Sequence, residues 1–231
     1  GAKGDYHIKL SSPFPRKNLG LLLRQDISTR YRDRERSYID LVTSIEETIK
    51  TKKGNYLVFF PSYIYMKKVY EILIERNPDL KLMIQEGNMT EKEREDFLNR
   101  FNEDDRILAL AVMGGIFSEG IDLVGERLIG AIVVGVGLPQ ICFERDIIKD
   151  YFNHHINQGF DYAYVYPGMN KVLQAAGRVI RSENDKGIIL LIDDRFASRK
   201  YVNLFPNEWG HYRRIGSLRA LERELKAFWT S

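Results

Sequence analysis

Gln174-Ala-Ala-Gly-Arg-Val-Ile-Arg181 combines residue types that folding alone explains poorly. Set on a helix, Gln174, Gly177, Arg178 and Arg181 stand at i, i+3, i+4 and i+7 and share one face, while Leu173, Ala176 and Ile180 share the buried one. A glycine inside a helix costs about 1 kcal/mol. Two guanidinium groups one turn apart repel unless an anion lies between or beside them. The pattern gives up local stability, as functional sites often do, and a planar, permanently charged guanidinium suits a phosphoryl group whose charge grows during transfer. The alternative is an exposed helix face with two surface arginines, and this stretch alone does not separate the two.

A second candidate, Gly114-Gly-Ile-Phe-Ser-Glu-Gly-Ile-Asp122, directly follows the apolar run Ile107–Val112. Its glycines allow a sharp turn and close approach of backbone N–H groups to a ligand. Ser118 could bond a phosphate, and Glu119 and Asp122 could bond sugar hydroxyls or orient an arginine. The plainer reading is a tight loop whose carboxylates cap the next turn. Third, Phe59-Phe-Pro-Ser-Tyr63 ends one buried run and opens a helix, with Pro61 suited to a helix start and the hydroxyls of Ser62 and Tyr63 at the same end of a sheet.

Other clusters read as structure. Adjacent His154 and His155 face different sides of a helix, and Asp150 does not complete a metal site with them. Asp193-Asp194 reads as a turn or an ion pair with Arg195 ahead of a Mg²⁺ site. Arg24–Arg36 is dense in charge and reads as a solvated connection ahead of a contact with an anionic partner. Cys142 is the single cysteine, which excludes an intrachain disulfide, a four-Cys zinc site and a self-contained iron–sulfur cluster. No Gly-x-x-x-x-Gly-Lys-Ser/Thr loop occurs, so arginines shaped for a γ-phosphate sit on a chain that cannot cradle a nucleotide alone.

The elements that must position these residues follow from hydrophobic patterning. Continuous apolar runs predict strands covered on both faces at Tyr56–Phe60, Lys81–Ile84, Ile107–Val112, Ile129–Val136, Tyr162–Tyr166 and Ile188–Asp193. Helices are expected through Tyr38–Ile49, Met66–Leu73 and Leu218–Phe228, and after Thr90, which with Glu93 forms a capping-box signature before Phe97 and Phe101. The alternation predicts one α/β domain over 1–231, a doubly wound, mostly parallel sheet flanked by helices, with a C-terminal helix in 211–231. Residues 1–10 are expected to be partly tag or disordered. With 35 Lys+Arg against 32 Asp+Glu, the net charge of +3 is too small for bulk attraction to nucleic acid, so any contact must come from local patches. The apolar run Leu128–Leu138 is about half the roughly 20 residues of a membrane span, so no membrane partner is expected.

The three segments occur in the order and spacing of motifs IV, V and VI of superfamily 2 helicases, and in detail the chain resembles the XPD/DinG branch of DNA helicases. Phe59–Tyr63 is similar to the XPD-type motif IV, Ser118–Asp122 to motif V, and Gln174–Arg181 with Asp185-Lys-Gly187 and Asp193–Phe196 to motif VI and its trailing strand. Ser11-Ser-Pro-Phe14 resembles the opening of the same domain.

The resemblance implies a second RecA-like motor domain of an intracellular (cytoplasmic) ATP-dependent DNA helicase with 5′-to-3′ polarity. ATP with Mg²⁺ would bind jointly with a P-loop motor domain of the same full-length protein, and this chain would hold no metal. By position, Arg178 and Arg181 would act as arginine fingers and Gln174 would order the attacking water. Glu119, Gly120, Asp122 and Gly177 would line the nucleotide or couple it to DNA, and Ser62, Tyr63 and Ser118 would touch single-stranded DNA. The chain alone would hydrolyse no ATP. A non-catalytic α/β module binding nucleic acid or protein is the alternative.

Overall fold

The computed structural model describes residues 13–103, 106–117 and 127–230. Seven strands, β1 (Leu19–Arg24), β2 (Tyr56–Phe60), β3 (Lys81–Ile84), β4 (Ile107–Val112), β5 (Gly130–Val134), β6 (Gly187–Ile192) and β7 (Arg213–Ile215), form one sheet in the order β3-β4-β2-β5-β6-β1-β7. Every pairing is parallel. Parallel strands need crossovers, and α1 (Arg34–Thr51), α2 (Tyr63–Arg76), α3 (Glu91–Glu103), α4 (Phe143–Ile156), α5 (Tyr166–Ala176) and α6 (Arg199–Val202) lie in them, while α7 (Leu218–Thr230) follows the last strand. The expected doubly wound α/β architecture is present.

Strand side chains alternate between two cores. Leu57, Phe59, Ala109, Val133 and Leu191 face a core closed by Phe97 and Phe101 of α3 and by Met169, Val172 and Ala176 of α5. Tyr56, Val58, Phe60, Ile132 and Leu190 face the other, closed by Leu41 and Ile45 of α1, Met66 and Val69 of α2, and Leu221 and Leu225 of α7. This two-faced burial is the physical reason for the unbroken apolar runs. Buried Asn55 joins the elements at the amino edge: its amide donates to the Phe101 and Arg127 carbonyls, and its Oδ1 accepts from the Ile107 N–H at 2.8 Å. The capping box forms, with the Thr90 N–H donating to Glu93 Oε2 at 2.7 Å and the Glu93 N–H to Thr90 Oγ1 at 3.3 Å.

Two expectations need correction. Tyr162–Tyr166 is no strand: residues Asp161–Val165 form a π-helical turn that runs into α5. Its β-branched and aromatic composition reflects packing, since Tyr162 stacks on Phe152 of α4 at 3.9 Å between ring centroids. Arg24–Arg36 is not a solvated connection, because Arg24 ends β1 in the interior and α1 begins at Arg34. The C-terminal helix expected through Leu218–Phe228 is present as α7, behind the short edge strand β7.

Close packing at the β2–β5 pairing generates a test. A Cβ on Gly130 would lie 2.4 Å from Cδ1 of Tyr56, whose buried ring is tethered by its hydroxyl donating to the Lys52 carbonyl at 2.7 Å. Gly130→Val is expected to cost about 3 kcal/mol in urea unfolding of this chain; an unchanged midpoint would show that Tyr56 yields freely.

Candidate functional site

Parallel register places the carboxyl ends of all seven strands, and the segments following them, along one edge. β2 continues into α2 against one face, while β5 continues toward α5 against the other. Chains that part in this way leave a crevice, the usual ligand position in open α/β sheets. A cleft of about 130 Å³ lies there, lined by Thr29, Arg30, Tyr31, Arg34, Pro61, Gly135 to Leu138, and Arg195. Gly137 adopts φ +64°, and a Cβ there would lie 2.8 Å from the Gly168 carbonyl oxygen, so a bare backbone is required where β5 turns toward α5.

Asp193 sits fully buried at the end of β6 and organises one wall of the cleft. Its Oδ1 accepts from Arg195 Nε at 2.7 Å and from the Arg195 N–H at 2.9 Å. Its Oδ2 accepts from Arg195 Nη2 at 2.9 Å, from the Thr29 N–H at 3.2 Å and from the Thr29 hydroxyl. Burial pushes this carboxyl up, but the Arg195 guanidinium and the hydrogen bonds outweigh it and hold it below its ordinary value. The same pairing raises Arg195, against burial acting the other way. Arg30 Nη1 donates to Asp194 Oδ1 at 2.7 Å. Arg34 stands over the Tyr31 and Tyr65 rings, 5.5 and 4.6 Å from their centroids, and Tyr31 is 87% exposed at the cleft mouth. Asp193 thus forms the ion pair with Arg195 expected from sequence.

The motif IV segment borders this cleft through Pro61. Ser62 caps α2, its Oγ accepting from the Tyr65 N–H at 3.4 Å, so Pro61 precedes the cap and does not open the helix. The Tyr63 hydroxyl accepts from Gln85 Nε2 at 2.9 Å, while Gln85 Oε1 accepts from the Val112 N–H at 2.8 Å. Buried Gln85 thereby fixes Tyr63 against the end of β4. Ser118, Glu119, Gly120 and Asp122 lie outside the described residues; the loop leading toward them is anchored by Phe117, stacked on Phe97 at 4.3 Å.

The motif VI geometry differs from expectation. α5 ends at Ala176, and Gly177 caps it, donating its N–H to the Leu173 carbonyl at 2.9 Å. Gln174 is exposed on the last turn, but Arg178 and Arg181 lie beyond the helix and do not share its face. Gly177, with β-branched Val179 and Ile180 beyond Arg178, is a poor continuation of a helix, and α5 stops there. Val179 is buried between the two arginines, which are themselves half-buried. The Asp185 carboxylate accepts from the Arg181 N–H and the Ser182 N–H, each at 2.7 Å, and from the Ser182 hydroxyl. A buried valine and a carboxylate-pinned turn, rather than a helix, set where the two guanidinium groups project.

Sequence reasoning assigned no role to Thr29, Tyr31 and Arg34. The partner of Thr29 lies across a strand order that only the folded sheet reveals, Asp193 being 164 positions away, and Arg34 stands over Tyr65 of α2 as well as over its neighbour Tyr31. Among the described residues, no three His, Cys, Asp or Glu side chains gather as a metal site, and no helix is long and apolar enough to cross a membrane.

The "Helicase C-terminal domain" family model matches residues 45–212. A probable ATP-dependent helicase of Methanocaldococcus jannaschii is 27% identical over 97% of this chain and 36% of its own length. The ATP-dependent DNA helicase CHL1 of Debaryomyces hansenii is 30% identical over 73% of the chain and 23% of its own length. The 3′-5′ exonuclease DinG of Staphylococcus aureus is 27% identical over 85% and 21%. The chain thus spans about a third of the archaeal relative and less of the others. A solved XPD helicase shares the fold at TM-score 0.69, with 21% identity over 85% of the chain and 35% of its own. The C-terminal domain of the DEAD-box protein Dbp5 does so at 0.52, with 15% identity over 90% and 96%.

The buried pair supplies a pH test. A carboxylate held low in the folded state adds stability that is present above its unfolded pKa and lost as pH falls through the folded one. Asp193→Asn is therefore expected to lower unfolding free energy at pH 7 by about 3 kcal/mol, with the gap from the parent chain narrowing in acid. A gap that stays constant down to pH 3 would contradict the ion pair's role.

Proposed function

Because the chain belongs to the helicase C-terminal domain family and has XPD/DinG-type relatives, we propose that it is the second motor domain of an ATP-dependent 5′-to-3′ DNA helicase. The observation that carries this reading is the end of α5 and the segment after it, where Gln174 is exposed on the last helical turn and Arg178 and Arg181 are presented by a Gly177 cap, a buried Val179 and an Asp185-pinned turn. Cationic groups held in place before the substrate arrives stabilise developing charge without reorganising at the moment of reaction. In this reading Arg178 and Arg181 bind the γ-phosphoryl oxygens of ATP bound in the P-loop domain, and Gln174 orients the attacking water. Gly177, Glu119, Gly120 and Asp122 face the nucleotide or couple it to the DNA site. The donors here are guanidinium, amide and hydroxyl groups, which suit phosphoryl anions; Mg²⁺ would arrive with ATP and be held by the other domain.

The cleft at the diverging ends of β2 and β5 supports the nucleic-acid half of the proposal. Ser62, Tyr63 and Ser118 take the single-strand backbone, joined by Arg30 and Arg34, while the exposed Tyr31 ring offers a stacking surface for a base. Hydrolysis alters the gap between the two motor domains, and alternating grip on the strand converts that change into movement.

In the full-length protein, Arg178→Ala and Arg181→Ala are each expected to lower kcat for ATP about 10³-fold while changing nucleotide affinity much less; equal losses in both would contradict the finger role. Measurable DNA-stimulated turnover by this chain alone would contradict the shared site. Tyr31→Ala is expected to weaken single-strand affinity about tenfold at fixed salt. Arg34→Ala should reduce the slope of log affinity against log salt by roughly one, and unchanged binding in both variants would remove the cleft from the DNA path.

A further inference from the structure

The outer face of α4 carries large apolar side chains that no described residue of this chain buries. Phe143, Ile147 and Tyr151 recur at i, i+4 and i+8 and are 75, 53 and 56% exposed, and Ile141, just ahead of the helix, is 83% exposed. No residue of α4 is buried, in contrast to α1, α2, α5 and α7.

The helix is nevertheless anchored by its opposite side. Arg145 Nη1 donates to the Ala163 carbonyl at 3.2 Å, and Phe152 stacks face to face on Tyr162, with 13° between the ring planes. These contacts fix α4 against the π-helical turn, so the apolar stripe is a held surface pointing away from the domain. Single exposed apolar residues are ordinary, whereas a contiguous stripe on a rigid helix marks an interaction surface.

We infer that this stripe is the docking face for the part of the full-length helicase that lies outside this chain. The inference rests on the motor-domain reading above and adds the surface on which the two parts meet. Two observations select this occupant. The archaeal relative extends well beyond this region, since the chain matches 36% of it. The stripe also begins six residues after Gly137, so whatever covers it stands beside the cleft and the carboxyl edge of the sheet. Exposed Glu144 and Asp150 flank the stripe and disfavour the phosphate backbone of nucleic acid; they suit a protein surface with an apolar centre and a basic rim.

The test compares amide hydrogen exchange over residues 143–151 in the full-length protein and in this chain alone, whose two closed cores allow it to fold by itself. Exchange is expected to be about tenfold slower or more in the full-length protein, with or without ATP and DNA. Phe143→Glu with Ile147→Glu should abolish that slowing and leave the melting temperature of the isolated chain unchanged, since both side chains are exposed and an acidic residue at Phe143 suits the first helical turn. Equal exchange in the two proteins would overturn the proposal. So would slowing in the isolated chain that grows with its concentration, which indicates a second copy, or slowing that requires single-stranded DNA. Intact ATP turnover without slowing sinks the docking alone, whereas slowing without turnover sinks the motor reading alone.

Discussion

All seven strands run in the same direction, and that single constraint decides where chemistry can occur. Backbone groups within the sheet are consumed by the ladder, so ligand contacts must come from segments that leave it, and a parallel sheet gathers half of those segments at one edge. β2 and β5 are hydrogen-bonded neighbours, yet α2, which follows β2, packs on one face of the sheet and α5, reached from β5 by way of α4, packs on the other. Side chains from both core layers therefore approach one crevice. Thr29, Pro61, Gly137 and Arg195 meet there although they follow four different strands.

The arginines are held in two different ways, Arg195 where the chain leaves β6 and Arg178 and Arg181 on the segment that enters it. Arg195 is tied to a fully buried carboxylate that Thr29 also engages, a costly arrangement unless every lone pair is satisfied, and it fixes the turn after β1 to the end of β6. Around Arg178 and Arg181 the backbone is fixed instead: Val179 is sunk in the core, and Asp185 receives two backbone N–H groups of the turn. The first device builds a wall. The second positions cationic side chains through the chain that carries them, the preorganisation that the proposed phosphoryl-transfer role would need.

Much of this was legible in the residues. The runs at Tyr56–Phe60 and Ile107–Val112 give strands because burial on both faces leaves no polar alternation, and Thr90 with Glu93 marks a helix start through local hydrogen bonds alone. Local signals misled where tertiary contacts overrode them. Tyr162–Tyr166 has strand composition, yet stacking of Tyr162 on Phe152 draws it into a helical turn. Helical spacing ran through Gly177 because periodicity does not register a cap. Arg24–Arg36 looked solvated because the partners of Arg30 and Thr29, Asp194 and Asp193, stand 164 residues away. The ordered set of three motifs survived these errors, since recognition depended on residue types and order rather than on the helix assigned to them.

The central claim is that this chain completes a nucleotide site it cannot form alone. It is tested most directly by a structure of the full-length protein bound to ADP, Mg²⁺ and a fluoride mimic of the transferring phosphoryl group. The account predicts the guanidinium groups of Arg178 and Arg181 within about 3 Å of the mimic, at hydrogen-bond distance. Both groups turned away from the nucleotide, with other residues of the protein neutralising the mimic, would contradict it.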